Sequence, residues 1–182
     1  MDFSNLVKLI ADLLKDFDAE KPIHKQFKPG IGPFGEPQIV SIIAERLSEK
    51  GISSRSRRTP DLDIQSNWAL EFKILRPFGD NGKEAENWTV NLLHPYPGNA
   101  SLIGDALKLM KLPNYNQKGL FIIGFEHHPA KVSLDPIILS FELIMDGVMG
   151  IELEERIEEK RMGLVHPEHQ VLRCVGWELA QI

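Results

Sequence analysis

Cysteine is nearly absent from this chain: Cys174 is the only one in 182 residues. No intrachain disulfide can form, so stability must come from a packed core, and a reducing compartment suits the sequence. Long apolar runs are also missing. None approaches the roughly 18–20 residues that a membrane-spanning helix requires. The start, MDFSNLVKLIADLLKDF, lacks the basic region and small-residue cleavage site of a signal peptide. A cytoplasmic protein without membrane association is expected. Surplus positive charge is lacking too, since the formal net charge is −5. This argues against binding to nucleic acid through bulk positive charge alone, although a local basic strip can still act. There is no P-loop, no Rossmann glycine signature and no GxSxG elbow. Cys174 lies in an apolar stretch and reads as core rather than nucleophile.

What is present is an ordinary globular share of apolar and charged residues, sufficient for one domain with additions. Phe3, Leu6, Ile10, Leu13, Leu14 and Phe17 recur at helical spacing, which predicts an amphipathic helix over 2–18 capped by Asp2 or Ser4. KPIHKQFKPGIGPFG (21–35) reads as a loop. EPQIVSIIAERLSEKG (36–51) predicts a second helix, with Pro37 in its first turn and Ile39, Ile42, Ile43 and Leu47 inward. Three extended stretches follow, at 52–58, 61–64 and 68–75. The connection 76–99 is long and rich in Pro, Gly and Asn, as functional or mobile loops often are. A helix over 101–112, a doubly buried strand over 119–126 and a helix over 133–147 opened by Asp135-Pro136 come next. The acidic run 151–163 fits strand or helix equally, and 170–179 reads as a closing strand.

The stretch WALEFKIL (68–75) carries the chemistry. Side chains alternate across a strand, so Trp68, Leu70, Phe72 and Ile74 share one face. Ala69, Glu71, Lys73 and Leu75 share the other, where a carboxylate stands beside an ammonium. Asp61 and Asp63 share a face of the preceding short strand. In a hairpin, acids from both strands can converge and hold Mg²⁺, which prefers hard oxygen ligands. Such an ion acidifies water and neutralises phosphate charge. A lysine on the same face can orient the attacking water or stabilise the transition state.

With Thr59-Pro60-Asp61 followed by Glu71-Phe72-Lys73, the chain resembles the PD-(D/E)xK phosphodiesterase superfamily over about half its length, from Gly35 to about Glu126. The resemblance implies an α/β fold with a restriction-endonuclease-like core (αβββαβ, a mixed central sheet flanked by helices). It leaves an added N-terminal helix (2–18) and a C-terminal helix and strand extension (133–182) on a single domain whose core spans about 35–126. It further implies Asp61 and Glu71 as ligands of Mg²⁺ or Mn²⁺ and the Phe72 carbonyl as another. Lys73 would be the water-orienting base or charge stabiliser. Glu36, at the start of the first core helix, takes an auxiliary role, with Glu45 as substitute. Lys108 or Asp105 on the following helix would face substrate. Asp63 is the alternative first ligand, a ligand to a second metal or a solvated edge residue; the Pro-Asp context favours Asp61.

Arg55, Arg57 and Arg58 read either as a solvated edge or as phosphate contacts. Arg76, Lys83, Trp88, His94 and Tyr96 suit stacking on bases, or a loop packed over the sheet. Zinc is disfavoured: His166 and His169 (HPEH) could meet on one helical turn, but Pro167 and the missing cysteine pair weaken the pattern. The expected activity is hydrolysis of nucleic acid, DNA before RNA, with Mg²⁺ or Mn²⁺. A homodimer would suit cutting of both strands. Two alternatives stand: a catalytically silent nuclease-fold module that binds nucleic acid or a partner protein, and an interaction protein recruiting partners through the acidic segment 152–159.

Overall fold

A computed structural model describes residues 1–96 and 101–180. Residues 97–99 of the expected long loop and 181–182 of the expected extension lie outside them. The elements are α1 (Phe3–Ala19), α2 (Glu36–Glu49), β1 (Ser54–Ser56), β2 (Leu62–Ile64), β3 (Trp68–Leu75), α3 (Val90–Leu93), α4 (Leu102–Met110), β4 (Gln117–Glu126), α5 (Asp135–Gly147), β5 (Ile157–Met162) and β6 (Val171–Glu178). The six strands form one mixed sheet in the order β1-β2-β3-β4-β6-β5. Only β3 and β4 run parallel; every other neighbouring pair is antiparallel.

Strand alternation divides the core into two slabs. On one face Leu70, Phe72, Phe121, Ile123, Leu172 and Cys174 meet the inward stripes of α1 and α2. On the other Ala69, Leu75, Leu120, Ile122, Val175 and Trp177 meet α4 and α5. The result is an α/β domain with helices on both faces of the sheet, as the sequence predicted at that level. Among the described residues, no helix is long and apolar enough to cross a membrane.

α1 is capped as expected, with the Asp2 carboxylate accepting the Asn5 amide at 2.8 Å. Its Phe3 ring enters a notch in the sheet made by two glycines. A Cβ on Gly119 would come within 2.7 Å of that ring, and one on Gly176 within 3.0 Å. A parallel β3–β4 pair needs a long crossover, and the segment 76–116 supplies it. Part of that segment is helical, because Leu92 of α3 is buried in the core with Trp88 and Leu93 packed beside it.

One open reading was settled and one expectation was overturned. The acidic run forms an edge strand, β5, where only one neighbour is available. Leu134, not Asp135, holds the N-cap position of α5. The Asp135 carboxylate instead joins Glu126 and Glu158 around Arg173, at 2.6, 3.3 and 2.8 Å. Burial disfavours this guanidinium, but the three carboxylates outweigh it and raise its pKa. Glu126 also accepts the Leu134 amide at 2.8 Å, tying the end of β4 to the start of α5.

Removing the cation should leave Glu126 buried and unpaired, which costs roughly 3–5 kcal/mol for a broken buried pair. Arg173→Met is expected to lose about 3 kcal/mol in urea denaturation, with Glu126→Gln added to it restoring part of the loss. A neutral Arg173→Met would show that packing alone fixes this corner.

Candidate active site

The β2–β3 hairpin ends early, and the site begins where it ends. Its register pairs Ile64 with Trp68, Asp63 with Ala69 and Leu62 with Leu70. One further step would set Asp61 opposite Glu71, but there the ladder gives way to a side chain. Asp61 Oδ2 accepts the Phe72 amide at 2.9 Å. The other edge of β3 stays paired with β4 as far as Leu75 and Gly124. The Phe72 carbonyl is thus free of any strand partner on the Asp61 side, and Lys73 Nζ donates to it at 2.9 Å.

Glu71 and Lys73 project together toward the α4 side and are buried, at 3% and 6% exposure. An ammonium has three donors, and Lys73 uses all of them. Besides the Phe72 carbonyl, they reach Asp105 Oδ2 at 2.8 Å and Glu36 Oε1 at 3.1 Å. Glu36 stands in the first turn of α2 and Asp105 in the first turn of α4, so the β3 lysine joins both helices to the sheet. Burial works against this ammonium, yet the Glu36 and Asp105 charges outweigh it and raise its pKa.

Negative charge is nevertheless in excess. Four carboxylates (Glu36, Asp61, Glu71, Asp105) meet two ammonium groups, Lys73 and Lys108, the latter paired to Asp105 at 2.7 Å. Burial raises the Glu36 pKa despite Lys73. Glu71 is pushed further, to about 9, by burial first, then by the Asp61 charge and a hydrogen bond with Asp61. Its Oε1 is buried without a hydrogen-bond partner. A carboxylate pair that must hold a proton, ending in an orphaned oxygen, is the environment a divalent cation relieves.

No family model, curated protein or solved structure matches the chain.

Two clefts flank Glu36. One, of about 370 Å³, is lined by Glu36, Pro37, Val40, Ser56, Arg57, Arg58 and Asp61. The other, of about 410 Å³, runs past Ile74, Arg76, Phe78, Glu86, Trp88 and Asn91. A larger cleft of about 650 Å³ lies elsewhere, among Glu152, Glu154, Glu155 and Glu178; its acidic lining would repel phosphate.

The remaining sequence candidates separate clearly. Asp63 is buried but engaged, with Arg57 at 3.1 Å, the Ser66 amide at 3.0 Å and a hydrogen bond with Tyr115. That leaves Asp61 as the acid beside Glu71. Arg55, Arg57 and Arg58 are exposed, and the last two line the first cleft. Arg76 is not a free phosphate contact: it donates to the Gly32 and Phe34 carbonyls at 2.6 and 3.2 Å, bracing the 21–35 loop. Lys108 is half-exposed on Asp105. Glu45 faces solvent beside Ser41, away from the cluster. Asp105, weighed only as an alternative to Lys108, proves a principal partner of Lys73. The 166–169 histidines do meet, on a turn before β6 rather than on a helix, with ring centroids 4.7 Å apart. Burial lowers both of their pKa values, that of His169 to about 4.

Burial and mutual repulsion make the folded, metal-free Asp61–Glu71 pair hold a proton up to about pH 9 that the unfolded chain gives up near 4.5, so stability falls as pH rises from 4.5 toward about 9. Glu71→Gln should remove that slope and stabilise the metal-free protein near pH 8 by on the order of 2 kcal/mol. Denaturation curves collected between about pH 5 and 9 would show it; equal slopes for both proteins would refute the assignment.

Proposed function

We propose that this chain is a Mg²⁺-dependent nuclease of the PD-(D/E)xK type, hydrolysing phosphodiester bonds of DNA in the cytoplasm. The order helix, three antiparallel strands, a short and a longer helix, parallel strand from α2 to β4 supports a restriction-endonuclease-like core. The observation that carries the reading is the carboxylate excess around Lys73, with the partnerless Glu71 oxygen beside Asp61.

The residues fit a hard divalent cation, because every donor on offer is an oxygen. Asp61 and Glu71 would hold it, joined by the Phe72 carbonyl once Lys73 turns from it. When bound, Mg²⁺ supplies Lewis acidity toward water and neutralises phosphate charge. Lys73 then presents its ammonium to the attacking water or to a phosphate oxygen, where charge develops in the transition state. Asp105 and Glu36 position it. Arg58, and Arg57 shared with Asp63, line the first cleft and would meet backbone phosphates there once a bound cation offsets Glu36 and Asp61. Trp88, in the second cleft, offers a face on which a base can stack. One such site cuts one strand, so cleavage of both strands would take two copies of the chain.

The rival reading is a nuclease fold without turnover, and one observation favours it: Lys73 already occupies the Phe72 carbonyl. Two measurements separate the readings. Plasmid nicking in Mg²⁺ or Mn²⁺ should fall by roughly 10²–10³ in Glu71→Ala and in Lys73→Ala, as when a transition-state contact is lost. Activity that survives both substitutions would sink the mechanism. Calorimetry with Mn²⁺ should show uptake that Glu71→Ala abolishes, whereas tight DNA binding without metal uptake would establish the silent module.

A further inference from the structure

Apart from the carboxylate cluster, three buried polar atoms converge without hydrogen-bond partners: Asp80 Oδ1, His166 Nε2 and His169 Nδ1. The three residues each offer a ligand atom within 4.8 Å of the other two. His166 and His169 are 0% and 1% exposed, and Asp80 Oδ1 lies 3.8 Å from His169 Nδ1. Leaving one buried polar atom unpaired is costly. Three of them facing one point call for a common partner.

The surroundings set one ring for that purpose. His169 Nε2 is 3.0 Å from the Phe78 carbonyl, which can only accept, so Nε2 carries the proton and Nδ1 presents its lone pair. At His166 the Glu168 amide stands 3.3 Å from Nδ1, the long end of hydrogen-bond distances. A cation on Nε2 moves the ring proton to Nδ1 and forfeits that long contact, while three orphaned atoms gain a partner. The 30–32 loop is built around these rings. A Cβ on Gly32 would overlap the His169 imidazole, and one on Gly30 would come within 2.8 Å of the His166 amide nitrogen.

We propose that Asp80, His166 and His169 form a second metal site, for a first-row transition ion and best suited to Zn²⁺. Two imidazole nitrogens and a carboxylate oxygen match zinc, with a fourth position left for water. The all-oxygen set at Asp61 and Glu71 favours Mg²⁺ instead, so the two sites sort different ions. The zinc would clamp the Asp80 loop to the turn before β6, against the 30–32 loop. The Asp80 loop also carries Arg76 and Phe78, which wall the second cleft. The ion therefore holds a wall of the proposed substrate groove.

The full chain, stripped with chelator, should take up one equivalent of Zn²⁺. Its Tm should rise by about 5–10 °C at a hundredfold excess over Kd. Asp80→Asn, at a partly exposed position (18%), should fold like wild type without metal and bind Zn²⁺ at least about tenfold more weakly. Glu71→Gln should leave zinc affinity unchanged, which separates this site from the magnesium site. X-ray absorption at the zinc edge of the wild-type protein should show two imidazole ligands. Equal affinity in Asp80→Asn, zinc binding with no thermal shift, or fewer than two imidazoles would each overturn the proposal.

Discussion

The Lys73 ammonium is the point on which three layers of this molecule close. It comes from the central strand, and its partners come from the first turns of α2 and α4, which lie on opposite faces of the sheet. Burying an ammonium is tolerable only with matched acceptors. Here that requirement fixes where both helix N-termini stop relative to β3. The same requirement gathers more acid than one lysine can neutralise. Packing and chemistry thus share a cause, since the ion pairs that dock the helices also concentrate negative charge at the end of the β2–β3 hairpin. Breaking such a pair by removing one partner leaves a buried charge uncompensated, and here that charge would lie where both helices meet the sheet.

Much of this was legible in the sequence because it depends on short-range patterns. Alternation in WALEFKIL placed Glu71 and Lys73 on one face, and the helical period of 3–17 placed α1. The Pro-Asp before a short strand put Asp61 within reach of Glu71. What the sequence withheld is long-range. Asp105 reads as one polar residue in a helical pattern, and only the docking of α4 reveals it as a partner of Lys73. Arg76 reads as a free cation beside a loop, yet backbone carbonyls of the 21–35 loop capture it. Asp80 and the HPEH histidines are far apart along the chain, and no spacing rule joins them. The β5 segment was undecidable because its acids fit an exposed strand edge as well as a helix face.

Electrostatics are divided over the surface in a way that net charge hides. The acidic cleft bounded by Glu152, Glu154, Glu155 and Glu178 lies apart from the cleft bounded by Arg57 and Arg58. The charged groups of the first are all acids, whereas the second sets two guanidinium groups against the carboxylates of Glu36 and Asp61, so a cation bound between the acids would change the sign of that region alone.

The early end of the β2–β3 ladder has a consequence for how the molecule is made. The hairpin itself is local and can form quickly, but the β3–β4 pair must first close the loop of the 76–116 crossover. Asp61 and Glu71 meet within that hairpin, whereas Asp105 reaches Lys73 only once α4, inside the crossover, has docked. A chain that has made the hairpin but not docked α4 therefore has the two acids together while Lys73 lacks its closest carboxylate partner, so the lysine is fixed in place only when the crossover is packed.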